Sequence, residues 1–388
     1  STLAPLIEAY ARVATPGDVA SSYRALIESV AQRVQRAFPI EVDFTSFASA
    51  GAKALAAMKP GGEDPAMAFK RAINASLASI DPHSGYLDPR ESRDQRESIS
   101  GSFGGLGIEV DMAEGLVRVV NPMEDTPASR AGLKSGDLIV KFDDQPVIGL
   151  TLTDAIAKMR GKPGTPITLV VRRPGIADEF LVSLVREEIR TQTVRWRMDG
   201  DMLVLRLARF AGNTKTMLDR AIADASAKQL PRGVVLDMRG NPGGLLNQAI
   251  SVADTFLTQG EIVSIRGRTL SNRRGWKADE NEMLSGVPMV VLLDGSSASA
   301  AELVAASLQD HGRAIVMGQR SYGKGSVQTM IGLGQDKGTL RLTTALYYSP
   351  SGRTVQQAGV GPDVELTRQA SESNRPRGGR READLPAV

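Results

Sequence analysis

The chain has no cysteine and only two histidines, His83 and His311, among its 388 residues. Without cysteine it has no disulfide, no cysteine nucleophile and no thiolate metal site, a composition that suits an exported protein. No run of about 18 apolar residues occurs, so the sequence predicts no membrane-spanning helix. Because the first residue is Ser1 rather than methionine, we expect a leader or an anchor to have been removed.

Neither sign of charge dominates. The 47 basic and 44 acidic residues give a formal charge of +3, which offers no support for nucleic-acid binding. The apolar fraction of 41% and the charged fraction of 23% are those of a globular protein. A chain of this length is expected to form two or three domains.

The spacing of apolar residues changes along the chain. Residues 1–80 show helical spacing, with Asp64-Pro65 as a start signal for one helix. Residues 100–187 alternate with a period of two between Gly, Pro and Asp turns, and one helical stretch at 151–161 interrupts them. This pattern predicts a small β-rich domain of the kind that often binds peptides.

From about residue 188 the pattern predicts alternating strands and helices. The runs "RGVVLDMRG" and "VPMVVLLDG" are typical of strands buried on both faces, and each precedes a helical stretch. This alternation predicts a mostly parallel sheet covered by helices, to which "GTLRLTTALYYSPSG" adds antiparallel strands. Residues 369–388 have little to bury and are expected to be disordered.

Three serines lie between the strand "VPMVVLLDG" and the helix that follows it. Ser299 stands directly before the helix, where a serine ordinarily caps the N-terminus. The run "GSSASAA" consists of small residues, which let a substrate backbone come close and leave N–H groups at the positive end of the helix. The pattern suits acyl transfer with Ser299 as nucleophile, and helix capping is the alternative. Ser296 and Ser297 are interpreted as small residues that keep a groove clear.

A serine nucleophile needs a proton acceptor, and neither histidine is well placed. No acidic residue that could orient His83 is identifiable near it, and His311 lies about 18 Å along the helix from Ser299. His311 is predicted to end that helix before Gly312. Lys324, in "SYGKGSVQ", follows the next buried strand, which a right-handed crossover returns beside the strand before Ser299. Burial would lower the pKa of a lysine enough for it to act as a base; the alternative is a solvated loop lysine.

The segment "GQRSYGKGS" also resembles the P-loop pattern G-x-x-x-x-G-K-[ST]. Gly325 occupies the Ser/Thr position, and the following "SVQTMIGLG" is predicted to be extended or loop-like, whereas a P-loop opens a helix. Nucleotide binding is therefore a weak alternative.

Two glycine motifs lie elsewhere. "VVLDMRGNPGGLLNQA" predicts a buried strand, a turn and a helix; the turn is either an ordinary connection or a source of N–H groups for an oxyanion. Asp237 and Arg239 in this motif are predicted to form a structural ion pair. "GSFGGLGIEVDM" enters a strand, so it suits a peptide carboxylate at a sheet edge better than a phosphate. Leu106 and Ile108 would line that pocket.

Taken together, these motifs resemble the carboxyl-terminal processing peptidases, which are serine proteases with a Ser-Lys dyad and an inserted PDZ domain. "SFGGLGIEV" and "TPASRAGLKSGDLIVKFD" are similar to the PDZ body. "LDMRGNPGGLL", "GSSASAAE" and "SYGKGSVQ" are similar to the three protease motifs, and "DPHSGYLDP" to the segment before the PDZ domain. The resemblance covers roughly residues 75 to 365.

The resemblance implies an α/β protease core of the crotonase/ClpP type with an inserted β-rich PDZ domain. The core would comprise residues 81–99 and 188–368, and the PDZ domain residues 100–187. Residues 1–80 would form an N-terminal helical region, a candidate assembly element, and residues 369–388 the disordered tail.

Matched residue by residue, the resemblance makes Ser299 the nucleophile, Lys324 the general base and Gln328 the residue that orients the lysine amine. It also places the oxyanion between two backbone N–H groups. One belongs to Ala300, and the other to Gly243 or Gly244, of which we favour Gly243 narrowly.

The resemblance also assigns residues in the PDZ domain. Four of them match the carboxylate-binding loop: Gly105, Leu106, Gly107 and Ile108. Arg160, in "MRGKPGT", is the candidate for an arginine through which the domain senses substrate.

The implied protein is an endopeptidase that recognises free C-termini of protein or peptide substrates and cleaves near them through an acyl-enzyme, without cofactor or metal. A non-catalytic PDZ scaffold is the alternative. The expected setting is the bacterial periplasm, with membrane association left open. We also expect a homo-oligomer, an adaptor or activator protein, and a resting state governed by PDZ position or assembly. The final residues "DLPAV" are a candidate occupant of a PDZ groove.

Overall fold

The structure, a computed structural model, describes residues 2–269, 273–366 and 381–385. The chain forms two compact units. One is built from the residues up to Ile99 and from Thr193 onward, and the other spans Ser100–Gln192. The smaller unit is therefore an insertion in the larger one, as the motif order predicts, and it ends five residues beyond the expected boundary at residue 187.

The chain begins with helices, as the apolar spacing predicts. Asp64 caps the helix that starts at Pro65, and its carboxylate accepts the N–H of Met67 at 2.9 Å. The first elements are α1 (Ala4–Val13), α2 (Asp18–Ala37), α3 (Phe44–Leu55), α4 (Pro65–Ala78), β1 (Gly85–Leu87) and α5 (Pro89–Ser100).

The smaller unit is a β-rich domain. Its elements are β2 (Ser102–Gly105), β3 (Ile108–Ala113), β4 (Leu116–Pro122), α6 (Pro127–Arg130), β5 (Leu138–Phe142), β6 (Gln145–Pro146), α7 (Leu152–Met159), β7 (Pro166–Arg172), β8 (Phe180–Val185) and β9 (Glu187–Arg190). An antiparallel sheet has the order β3-β4-β5-β7-β8, with β6 beside β5, and β2 pairs with β9. Val117, Ile139 and Leu169 are fully buried in its core, so the predicted period of two reflects one buried face.

The rest of the chain returns to the larger unit. Its elements are β10 (Val194–Asp199), β11 (Met202–Leu207), α8 (Thr214–Lys228), β12 (Gly233–Asp237), α9 (Leu246–Asp254), β13 (Glu261–Gly267), β14 (Arg273–Lys277), β15 (Met289–Leu293), α10 (Ala300–Asp310), β16 (Ile315–Gly318), β17 (Ser326–Gly332), β18 (Thr339–Tyr348), β19 (Val364–Glu365) and a 3-10 helix (Glu382–Asp384).

The predicted parallel sheet is confirmed. It has the order β10-β11-β12-β15-β16-β19, and every pairing after the β10–β11 hairpin is parallel. Leu236 of β12 and Val291 of β15 are fully buried, whereas Val235 and Val290, on the opposite face, are only half-buried, so the expected burial on both faces is met on one face only. Residues 294–299, which follow β15 and contain the three serines, are called the serine joint. Because parallel strands end at one edge of the sheet, the turn after β12 and the serine joint lie side by side.

A second sheet is antiparallel, with the order β1-β18-β13-β14 and β17 beside β18. The segment "SVQTMIGLG" supplies β17. A strand rather than a helix follows the glycine-lysine loop, which excludes the P-loop alternative.

The N-terminal helices share a core with this second sheet. Phe69 of α4 is fully buried, and its ring centroid lies 5.1 Å from that of Tyr23 and 5.0 Å from that of Tyr86. Leu340 and Leu342 of β18 belong to the same cluster. The N-terminal region is therefore part of the larger unit; its role in assembly stays a prediction.

Part of the C-terminal segment is placed. Residues Glu382–Asp384 form a single 3-10 turn, and Glu382 is buried. The expected disorder is therefore wrong for residues 381–385. Residues 369–380 and 386–388, including the end of "DLPAV", lie outside the described residues. Among the described helices, none is both long and apolar enough to cross a membrane.

Replacing Phe69 by Ala is expected to lower the free energy of unfolding by about 3–5 kcal/mol, because the change empties the centre of this cluster. Urea unfolding followed by circular dichroism measures the change. Met67→Ala is the matched control: Met67 lies on the same helix but is 63% exposed, so its change should stay within about 0.5 kcal/mol. Equal stabilities for the two variants would show that the helices do not share this core.

Candidate active site

Ser299 occupies the N-cap position of α10 and has an unusual backbone conformation. Its φ is 54° and its ψ is −114°, whereas an N-cap residue ordinarily lies in the β region. Such a conformation costs a non-glycine residue about 1–3 kcal/mol and persists where the surroundings over-determine it. Helix capping alone does not account for it, whereas strained turns that present a nucleophile do adopt such geometry.

Glu302, in the first turn of α10, links the serine joint to residues 319–325, the loop that contains Lys324 and is called the lysine loop. Its buried carboxylate accepts the backbone N–H groups of Ser299 at 2.8 Å, Gly323 at 2.7 Å and Lys324 at 2.8 Å. The Ser321 hydroxyl donates to it at 2.5 Å. Burial raises the pKa of Glu302, and these four hydrogen bonds offset part of the rise. One carboxylate thus fixes the backbone on both sides of the candidate site.

Tyr347, which lies in β18, contacts the same two segments and acts as a second brace between them. Its hydroxyl lies 2.8 Å from the carbonyl oxygen of Ser299 and 2.8 Å from that of Lys324. Burial raises the pKa of Tyr347 well above its ordinary value, so the hydroxyl stays a donor. Sequence reasoning missed both braces. The pattern "SAAE" matches a capping box and could have marked Glu302; no comparable signal marks Tyr347.

Lys324 precedes β17 and lies in a half-buried loop. Burial lowers the pKa of the Lys324 amine below its ordinary value of 10.5; the Glu382 and Asp81 carboxylates oppose the shift, and Arg341 adds to it. Among the described residues, no hydrogen bond joins the Lys324 amine to the Ser299 hydroxyl. The structure therefore brings the two segments together without closing the dyad.

Gln328 lies in β17, beside the lysine loop. Its amide nitrogen donates to the Ser326 hydroxyl at 3.0 Å and to the Thr343 hydroxyl at 3.1 Å. Thr343 in turn donates to the buried Asp81. Within the described part of the chain no hydrogen bond links Gln328 to Lys324, so the expected contact is not formed in this conformation.

The Asn-Pro-Gly-Gly turn lies against the serine joint, as expected for an oxyanion site. The Ala298 N–H donates to the Asn241 carbonyl at 2.9 Å. A side chain at Gly243 would place its Cβ 2.8 Å from the Ser299 Cβ and 2.9 Å from the Ala300 nitrogen. The glycine is therefore required for this close approach.

The hydrogen bonds of this turn bear on which glycine N–H is available to an oxyanion. The Gly243 N–H donates to the Asn241 side-chain oxygen at 2.9 Å. No acceptor is recorded for the Gly244 N–H among the residues that the structure describes. This conformation therefore favours Gly244 over Gly243. Ala300 opens α10, where backbone N–H groups lack a partner within the helix.

Ser297 has a structural role beyond small size. Its buried hydroxyl donates to the Met238 carbonyl at 2.9 Å and accepts the Asp294 N–H at 3.0 Å. The interpretation of Ser297 as a mere spacer is thus wrong, because the hydroxyl ties the serine joint to the end of β12.

The predicted ion pair of Asp237 and Arg239 is confirmed, with a distance of 2.8 Å. Arg206 lies 3.1 Å from the same carboxylate. Burial would raise the pKa of Asp237, but the hydrogen bonds from Arg239 and the charge of Arg206 hold it below its ordinary value. The pair holds the turn that carries the glycines.

The two histidines lie in different places. His311 ends α10, as predicted, and its Nε2 lies 2.7 Å from the Glu261 carbonyl oxygen. The Nε2 atom of His83 lies 2.7 and 2.9 Å from the two carboxylate oxygens of Glu382. The expectation that His83 has no acidic neighbour is wrong. The partner is 299 residues away along the chain, so local sequence could not reveal it.

The predicted carboxylate loop lies in the smaller unit, where it borders a cavity of about 290 Å³. Ile108 begins the edge strand β3, and Ile156 and Met159 of α7 line the same cavity. Within the described residues, no acceptor is recorded for the N–H groups of Leu106 and Gly107. The groove thus combines apolar walls with donors, as capture of a C-terminus by strand addition requires.

Arg160 lies at the end of α7 and lines the same cavity. Its guanidinium lies 4.6 Å from the centroid of the Phe103 ring, a cation–π distance. The structure therefore places Arg160 at the groove, where a bound peptide would meet it; a sensing role stays a prediction.

Comparison with known proteins agrees with both units. Peptidase family S41 matches residues 201–366, and the PDZ domain family matches residues 118–173. The carboxy-terminal-processing protease of Bartonella bacilliformis is 48% identical over 308 residues, which cover 78% of this chain and 70% of that protein. The chain belongs to the carboxy-terminal-processing protease family. It is a serine peptidase with a PDZ domain.

Two further relatives share a lower identity with the chain. The carboxy-terminal processing protease CtpA of Bacillus subtilis is 33% identical over 296 residues, which cover 76% of this chain and 63% of that protein. The solved structure of the photosystem II D1 C-terminal processing protease is 27% identical, with a TM-score of 0.52 and coverage of 91% of this chain and 94% of that one. The predicted family and fold are confirmed.

Tyr347→Phe is expected to lower kcat by about 10–100-fold, because the Ser299 and Lys324 carbonyls lose their common donor and small displacements of catalytic groups are costly. Cleavage of a fluorogenic peptide with a free C-terminus measures the effect. Tyr348→Phe, at the next residue, is the control. The centroid of the Tyr348 ring lies 3.9 Å from the Arg266 guanidinium carbon, and the variant enzyme should cleave at the wild-type rate. Equal rates for both variants would rule out the brace.

Proposed function

We propose that the protein cleaves protein substrates near their C-termini, with Ser299 as nucleophile and Lys324 as general base. The observation that carries the proposal is the double brace, in which Glu302 and Tyr347 each bind the backbone of both residues. A nucleophile and its base must keep a fixed relative position. Hydrogen bonds from one side chain to the backbones of both residues fix that position. Burial supplies the second requirement, since it lowers the pKa of the Lys324 amine.

The reaction follows from these positions. Neutral Lys324 takes the proton of the Ser299 hydroxyl while the oxygen attacks the scissile carbonyl. The tetrahedral oxyanion accepts hydrogen bonds from Ala300 and from Gly244, or from Gly243 once Asn241 releases it. When the intermediate collapses, the C–N bond breaks and the amine leaves with the proton from Lys324. Water then attacks the acyl-enzyme, with Lys324 again as base, and restores Ser299.

The open dyad is interpreted as a resting state. Catalytic hydrogen bonds often tighten only in the substrate complex, and closure here requires the Lys324 amine to approach the Ser299 hydroxyl. Gln328 would then turn its amide oxygen to the amine and hold it. PDZ occupancy sensed through Arg160, or assembly with an adaptor, is the proposed trigger. Export to the periplasm and homo-oligomerisation complete the proposal and rest on the family resemblance.

Ser299→Ala and Lys324→Ala should each reduce turnover to background, since one removes the nucleophile and the other the base. For the wild type, kcat/KM should fall as the pH drops through the Lys324 pKa, because the protonated amine cannot accept a proton. Peptide cleavage across a pH series measures both effects. Lys53→Ala, at an exposed position of α3, is the control and should retain full activity. An active Lys324→Ala enzyme would falsify the dyad.

Peptides with a free apolar C-terminus should be cleaved with a kcat/KM about 10-fold or more above that of their amidated forms, the usual size of a charged hydrogen-bonded contact. Ile108→Arg should remove the preference, because it fills the groove. Ile148→Arg, at a site that is 73% exposed in the same unit, should retain it. If both variants still prefer the free carboxylate, recognition lies outside the PDZ groove.

A further inference from the structure

A glutamate from the C-terminal segment is buried beside the lysine loop. Glu382 is 2% exposed. Its carboxylate oxygens lie 2.7 and 2.9 Å from the His83 Nε2 atom, and the Gln356 amide nitrogen donates to it at 3.0 Å. The Glu382 N–H donates to the Tyr322 carbonyl at 3.2 Å. Side chain and backbone are therefore both bound.

The pocket that holds Glu382 is built from the active-site loops. The Gln356 side-chain oxygen accepts the Gly325 N–H at 2.8 Å, next to Lys324. The Tyr322 N–H donates to the Ser297 carbonyl at 3.0 Å, two residues before the nucleophile. Anything that occupies this pocket therefore contacts the segments that position the dyad.

The backbone of His83, which also lines the pocket, is held by hydrogen bonds of its own. The Arg341 Nε atom donates to the His83 carbonyl at 3.0 Å, and the His83 N–H donates to the Asp81 carboxylate at 3.1 Å. These bonds hold the histidine backbone independently of Glu382.

The pocket offers hydrogen-bond donors that suit a carboxylate. Glutamate is almost never fully buried unless its charge is paired. In the described residues 381–385, the buried residue is the glutamate, whereas Leu385 stays half-buried. Polar pairing rather than apolar burial therefore holds the segment.

We propose that His83 and Gln356 form a carboxylate-binding subsite of the catalytic cleft, in which the Tyr322 carbonyl accepts the backbone N–H of the bound residue, and that the chain's own Glu382 fills it until a substrate displaces it. This inference rests on the proposed role of Lys324. The ligand is a peptide with an internal glutamate, since the backbone N–H of the residue is bound as well as its side chain. A free C-terminal carboxylate has the same chemistry and is distinguished below.

Occupancy of the subsite also affects the base. The charged groups around Lys324 are Glu382, Asp81, Glu302 and Arg341; the three carboxylates raise the pKa of the amine, and burial and Arg341 lower it. His83 also contacts the Glu382 carboxylate. When Glu382 leaves and no second carboxylate replaces it, one negative charge is lost, the pKa of Lys324 falls further, and more of the amine is neutral at a given pH.

The full-length enzyme with Glu382→Gln, and the chain that lacks residues 381–388, should both show a higher kcat/KM on a short peptide, by about 10-fold. The acidic limb of the pH–rate profile should move to lower pH, which loss of a purely structural contact would not cause. Glu280→Gln, at an exposed position, is the control and should leave rate and profile unchanged. An unchanged rate and profile in both tail variants would overturn the inference.

Binding tests the subsite independently of turnover. An acetylated and amidated peptide of residues 381–385, added to the Ser299→Ala enzyme that lacks residues 381–388, should bind with 1:1 stoichiometry by calorimetry. The matching peptide with glutamine in place of its glutamate should bind at least about 10-fold more weakly, and so should the original peptide to an enzyme that also carries His83→Ala. Equal binding of the two peptides would overturn the inference. If a glutamine peptide with a free C-terminus binds instead, the ligand is a terminal carboxylate and the assignment to internal glutamate is wrong.

The two proposals fail in different ways. If Lys324→Ala is active but the tail peptide binds through its glutamate, the dyad is wrong and the subsite stands. If Lys324→Ala is inactive while tail variants match the wild type and the peptide does not bind, the dyad stands and the subsite is wrong.

Discussion

The candidate site depends on one buried carboxylate. Glu302 takes a charge out of water, which costs several kcal/mol unless donors replace the lost hydration. Four donors do so, and three of them are backbone N–H groups from the serine joint and the lysine loop. Its position in the first turn of α10 adds the favourable field of the helix N-terminus. Because the charge is satisfied only when both segments are in place, they are held jointly rather than one at a time.

Two sheets meet at this carboxylate. The parallel sheet delivers the glycine turn and Ser299 at neighbouring strand ends, and the bond between Ala298 and Asn241 fixes their separation. The antiparallel sheet delivers Lys324 before β17 and Tyr347 in β18. The N-terminal helices pack against β18 through the cluster around Phe69. They therefore support the sheet that carries Lys324, the proposed base.

Local patterns were sufficient for part of this arrangement. Runs of apolar residues predicted the parallel strands correctly, although Val235 and Val290 on the second face are only half-buried. Small residues before a helix pointed to Ser299, and helix length excluded His311. What local patterns could not supply is the choice of partners. Glu302 carries a recognisable capping signal, yet its bonds to residues 321–324 depend on how two strands are placed. The contact between His83 and Glu382, and the bond that occupies the Gly243 N–H, likewise depend on tertiary structure.

The basicity of Lys324 is set by groups that differ in how firmly the fold holds them. Glu302 is bound by four donors and Asp81 by Ser84 and Thr343, all within the core of the larger unit. Neither carboxylate can leave without unfolding its surroundings. Glu382 contributes a charge of the same sign, but among the described residues its segment is joined to the fold by a few hydrogen bonds to loops. Burial in the core thus lowers the pKa of Lys324. The Glu382 carboxylate can change that pKa without any rearrangement of Glu302 and Tyr347, which position the proposed dyad.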